Sequence, residues 1–159
     1  MSSIKVGSYG WQSASLLQSF YPPDLPEDWR LSFYANEFSS VLVPADVWCA
    51  AELDIEEWQD VPEHFSFYLQ QADEACSERL AEIGQALGEK LGDCVSVGTE
   101  LPLIEKGVAI IDSQQLSLRE WRYWLEQNAD TLNVIFLKDA NISYQNLHDF
   151  KSLLELMGY

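Results

Sequence analysis

Basic residues are the scarcest chemistry in this chain: nine Lys and Arg stand against 26 Asp and Glu, leaving a formal net charge of −17. A field of that sign repels phosphate backbones and anionic lipid headgroups, so nucleic acid and membrane surfaces are not expected partners. No apolar run approaches the ~20 residues that a spanning helix needs. Cysteine is limited to Cys49, Cys76 and Cys94, odd in number and without a Cys-x-x-Cys pair. Neither a disulfide framework nor a zinc knuckle is suggested, and three buried thiols are expected. The only histidines, His64 and His148, lack ligand spacing. There is no Gly-x-Ser-x-Gly elbow, no P-loop and no Gly-x-Gly-x-x-Gly, so the usual warrants for serine hydrolases, nucleoside triphosphatases and dinucleotide enzymes are missing. The first residues, Met1-Ser-Ser-Ile-Lys-Val, run into a strand pattern without a signal-peptide core, which reads as cytoplasmic.

What is present is a folded single domain. The 159 residues are 47% hydrophobic and 22% charged, the balance of a globular protein. Short β-branched or aromatic runs predict six strands at Ile4–Tyr9, Val41–Pro44, Phe65–Gln70, Cys94–Val97, Val108–Asp112 and Leu132–Lys138. Two of them, around Val108-Ala-Ile-Ile and Val134-Ile-Phe-Leu, are apolar on both alternations, as in sheets covered on both faces. Between the strands, Cys76, Leu80, Ile83, Leu87 and Leu91 form one helical stripe from Asp73 to Leu91. Ser117-Leu-Arg-Glu120 fits a capping box opening a helix to about Ala129, and a last helix runs from Ser143 to a stop at Gly158. Pro26 suits the first turn of a helix over Pro26–Phe38. Gly92 and Gly107 read as helix-end and turn positions. The alternation predicts an α/β fold with a parallel-dominated sheet wrapped by helices. The ten residues Gly98–Gly107 are too few for a helical crossover, so the strands flanking them are expected to be antiparallel neighbours, or one of them is misassigned.

Two stretches carry a resemblance. Val6-Gly-Ser-Tyr-Gly-Trp11, then Phe20-Tyr-Pro-Pro-Asp-Leu-Pro26, Trp29, Phe33-Tyr34-Ala35 and Phe38, resemble the start of the YecE-like family, also called the domain of unknown function 72 family. Leu118, Trp121, Trp124, Val134-Ile-Phe, Asp139-Ala-Asn141 and Leu153-Leu-Glu-Leu-Met-Gly158 are similar to that family's last two units. The middle departs: Leu42-Val-Pro-Ala-Asp-Val-Trp48 stands where the family has Glu-Ile-Asn-Ser-Thr-Phe-Tyr, and Leu69-Gln-Gln71 where it has a lysine. The resemblance implies a shortened or incomplete TIM-barrel-like fold without a settled activity.

In a parallel sheet the chemistry gathers at the strand carboxyl ends. That rim reads Ser8, Tyr9, Trp11, Asp46, Trp48, Gln70, Thr99, Glu100, Asp112, Lys138, Asp139 and Asn141. Tyr9, Trp11 and Trp48 are the candidate binding residues. Asp112, Asp139 and Asn141 with Lys138 are the candidate catalytic set. Asp112, Asp139 and Glu100 have the oxygen donors that Mg²⁺ or Mn²⁺ would take if this were an enzyme. Six Trp, seven Tyr and seven Phe also suit contact surfaces, and a homodimer is expected. Three functions follow: a non-catalytic or degenerate binding and self-assembly protein first, a small metal-assisted hydrolase-like enzyme second, an acidic nucleic-acid mimic third.

Overall fold

The computed structural model describes residues 4–50, 53–98 and 100–159. Among the described residues seven strands form two sheets. The first contains β1 (Lys5–Ser8), β7 (Val134–Leu137), β6 (Val108–Ile111) and β5 (Leu103–Glu105) in that order; the second contains β2 (Ser40–Val43), β3 (Ser66–Gln70) and β4 (Leu91–Val95). Every pairing is parallel except β5 with β6. The sheets meet at a single parallel bridge, Tyr9 with Leu42, so β1 runs alongside β2. Among the described residues no barrel closes: β4 and β5 end the ladder on either side.

Helices α1 (Ala14–Ser19), α2 (Arg30–Glu37), α3 (Ala45–Trp48), α4 (Ile55–Gln59), α5 (Ser77–Leu87), α6 (Leu118–Asn128) and α7 (Tyr144–Met157) connect the strands. The larger core lies between helices and sheets, with Leu31, Tyr34, Phe65, Phe67, Ile83, Trp121 and Phe150 fully buried. A smaller core on the opposite sheet face joins Leu42, Val95, Val108, Ile110, Val134 and Phe136. Those residues alternate with the larger-core set, as pleated strands covered on both faces require.

The expected helix to Leu91 stops at Leu87, because Gly88 takes φ +56° and leads into a tight turn; Leu91 then opens β4, three residues before the predicted strand start. Gly92, expected at a helix end, sits inside β4 beneath the Tyr68 ring, 2.7 Å from where a Cβ would stand. The Gly98–Gly107 segment contains a strand absent from the prediction, β5, which folds back on β6 through Lys106 and Gly107, both at positive φ. The strands flanking it, β4 and β6, therefore belong to different sheets. Both predicted caps form: Ser117 and Glu120 bond each other's backbone N–H at 3.2 and 3.1 Å, and Gly158 ends α7 in the left-handed region.

The cysteines differ most from expectation. Cys49, closing α3, and Cys76, preceding α5, are disulfide-bonded with Cα atoms 5.7 Å apart, and Cys94 is free. None of the three is fully buried. Their separation of 27 positions hides the pairing from sequence. Among the described residues no helix is long and apolar enough to cross a membrane.

Candidate ligand cavity at the strand carboxyl ends

The seam between the sheets shapes the site. Gly7 faces the Ser40 carbonyl so closely that a Cβ would lie 2.0 Å from its oxygen. The Tyr34 hydroxyl fills the gap left by missing ladder bonds: it accepts from Ser8 N–H at 2.8 Å and donates to the Ser40 carbonyl at 2.9 Å. Full burial pushes the Tyr34 phenol well above the usual tyrosine range, so it stays a neutral donor.

Beyond the seam, Gly10 at φ +81° turns the chain away from β1 while its N–H bonds the Leu42 carbonyl at 2.8 Å. Trp11 is thereby driven inward, 4% exposed, edge-on to Trp58 at 5.8 Å, with its carbonyl accepting from the Tyr21 hydroxyl. Ser13 caps α1. Across from this turn, Pro44 starts α3 and brings in Asp46 and Val47. The two walls enclose a cavity of about 370 Å³ lined by Tyr9, Gly10, Trp11, Gln12, Ser13, Pro44, Asp46 and Val47. That volume is within the range of small-molecule sites.

Gln70, at the end of β3, ties the walls together. Its Oε1 accepts from the Tyr9 hydroxyl at 2.5 Å and from Ala45 N–H at 2.9 Å, while its carbonyl accepts from Trp48 Nε1 at 2.9 Å. Burial and the Asp46 charge raise the Tyr9 pKa, partly offset by the bond to Gln70. Lys138 Nζ lies 5.3 Å from the Tyr9 ring centroid. One polar atom in this region has no partner: Trp11 Nε1 is buried and makes no hydrogen bond, the sole such side-chain atom among the described residues. An orphaned buried N–H costs about 1–3 kcal/mol.

Of the predicted binding residues, Tyr9 and Trp11 therefore line the cavity, whereas Trp48 is a satisfied core side chain. The predicted catalytic set divides. Asp139 is buried and accepts from Ser113 N–H at 2.8 Å and from the Ser113 hydroxyl; Asp112 bonds Gln114 N–H at 3.0 Å. Desolvation raises the Asp139 pKa despite the Ser113 bonds, and the neighbouring Asp112 charge adds to the rise. Lys138 turns to Tyr9, and Asn141 and Glu100 are exposed. Among the described residues no three His, Cys, Asp or Glu side chains come together in a way that could hold a metal ion. Thr99 lies outside the described residues. His64 and His148 are both exposed, the latter stacked on Tyr144. Sequence reasoning missed Gln12, Ser13, Pro44 and Val47; Ser13 as a helix cap and Pro44 after a strand were the available signals.

Fold and site define an α/β protein with a small open cavity where two parallel-dominated sheets meet. A family model, the protein of unknown function DUF72, matches residues 5–101, and the chain belongs to that family. The match includes the middle segment where the motifs departed, and it leaves out the C-terminal stretch that resembled the family's last units. Among solved structures, the chain is similar to a DUF72 family protein from Thermotoga maritima at 13% identity and a TM-score of 0.43, over 84% of this chain and 55% of that one. The chain thus spans about half the length of that protein. No curated protein matches it.

Proposed function

We propose that this protein binds a small, neutral, hydroxyl-bearing molecule in the cavity between Tyr9 and Asp46 and does no chemistry on it. The reading rests on the cavity itself, about 370 Å³ at the strand carboxyl ends, with Tyr9 on one wall and the exposed Asp46 carboxylate on the other. Asp46 would accept from a ligand hydroxyl, and the Tyr9 ring offers an apolar face. The net charge of −17 disfavours anions. The alternative, acid-base or metal-assisted hydrolysis at Asp112 and Asp139, has less support because Ser113 occupies both Asp139 oxygens. We read the array of parallel strands as a barrel relative lacking central units, with the seam at Tyr9 and Leu42 as part of its wall.

The test uses ¹⁵N-labelled protein, with the Trp11 indole resonance assigned through Trp11→Phe. Glycerol, ribose and glucose are titrated in turn. Binding moves that resonance saturably, and Asp46→Asn weakens the effect. Absence of any Trp11 shift with all three, together with no small-molecule adduct in native mass spectra, refutes the reading.

A further inference from the structure

The disulfide between Cys49 and Cys76 is a second chemical feature, separate from the Tyr9 cavity. Cys76 opens onto its own cavity of about 260 Å³, whose wall also carries Trp48, Asp73, Glu74, Cys94 and Lys106. A buried structural disulfide would be shut away from solutes, whereas both sulfur-bearing residues here are only half-buried. The wall beside Cys76 is acidic: Asp73 and Glu74, three and two residues before it, are both exposed, and Glu78 is the second residue of α5. Lys106 is the lone cation on that wall.

We propose that Cys49 and Cys76 form a redox-active site that exchanges with low-molecular-weight thiols, and that the acidic wall selects cationic thiols over anionic ones. An incoming thiolate attacks Cys76 Sγ, since Cys76 and not Cys49 lines the cavity. A new sulfur–sulfur bond forms there, the Cys49–Cys76 bond breaks, and Cys49 leaves as a thiolate that takes a proton from water. A second thiolate attacks the sulfur of the small thiol joined to Cys76, releasing a small-molecule disulfide and a Cys76 thiolate that is protonated in turn. Two thiols are oxidised and one protein disulfide is reduced by two electrons; the reverse sequence, driven by the small-molecule disulfide, re-forms the bond. Cys94 shares the wall but is a bystander: burial and Asp93 hold its thiol above the usual range despite Lys106.

The experiment takes the full chain, purified without reductant, and adds cysteamine, 2-mercaptoethanol or glutathione at equal thiolate concentration. Reactions are stopped with acid, alkylated and mapped by mass spectrometry. Cys49 and Cys76 gain label together, cysteamine acts about fivefold faster than glutathione at low ionic strength, and the ratio falls towards unity at high salt, where the screening length is only ~3 Å. Asp73→Asn with Glu74→Gln narrows the ratio; neither side chain makes a capping bond, so the double variant keeps the fold. Cys94→Ser leaves the exchange unchanged. The proposal is overturned if Cys49 and Cys76 label as free thiols after treatment with oxidised glutathione. It is equally overturned if no thiol opens the bond, or if glutathione matches cysteamine in wild type.

Discussion

Replacing Tyr34 with Phe removes one oxygen atom from the seam between the sheets and leaves the ring in place. That oxygen has three partners: Ser8 N–H at 2.8 Å, the Ser40 carbonyl at 2.9 Å and the Ser8 hydroxyl at 3.2 Å. The Ser8 hydroxyl keeps its bond to the Gly10 carbonyl, so its loss is small. Ser8 N–H has no such fallback, since β1 and β2 are joined only by the Tyr9 bridge further along. Ser8 and Tyr34 are both 0% exposed, so water does not replace the hydroxyl. One orphaned buried donor costs about 1–3 kcal/mol, and weakening the Ser40 carbonyl adds to it, giving about 2–3 kcal/mol in all. For a chain of this size that lowers Tm by roughly 5–10 °C. In urea, with a slope near ~2 kcal/mol/M, the midpoint falls by about 1 M at unchanged slope. Denaturant titration followed by far-ultraviolet circular dichroism and tryptophan fluorescence measures it. A midpoint within about 0.2 M of wild type, with both probes coincident, refutes the claim that this hydroxyl replaces ladder bonds at the seam.

The same seam predicts that Gly7→Ala abolishes soluble, folded protein, because the new methyl would sit 2.0 Å from the Ser40 carbonyl oxygen, which the paired strand β2 holds in place; a native-like circular dichroism spectrum would contradict this. Glu57, raised to about 6 by burial and then by Asp28, Asp54, Glu27 and Asp60, binds its proton more tightly folded than unfolded. Its contribution is therefore fully present below the ordinary glutamate pKa and is lost as pH rises through about 6. Glu57→Gln should then stabilise by about 0.5–1 kcal/mol at neutral pH, after discounting for solvent screening, and by nothing near pH ~4, which paired urea titrations at the two pH values would check.

What the sequence determined alone is whatever neighbours along the chain enforce. The Cys76 to Leu87 stripe, the Ser117 box, the Gly158 stop and the doubly apolar β6 and β7 all depend on residues within a few positions of one another. Each of these elements formed where periodicity and caps placed it, within a few residues, and the parallel pairing followed from alternating strands and helices. Even the family resemblance rested on local runs, and Tyr9 and Trp11 came to notice because strand ends in such sheets carry the site. What tertiary structure decided is everything joining distant positions. Strand order divided the array into two sheets and left a seam that Tyr34, 26 residues from Ser8, had to fill. Cys49 met Cys76 across 27 positions, and Gln70 joined Tyr9 to α3 across 61 and 25. Asp139 and Asp112, equally prominent in sequence, became loop supports, the first accepting from Ser113 and the second from Gln114 N–H. An unpartnered Trp11 N–H is likewise invisible in sequence, because whether a donor finds an acceptor depends on which distant atoms surround it once water has gone.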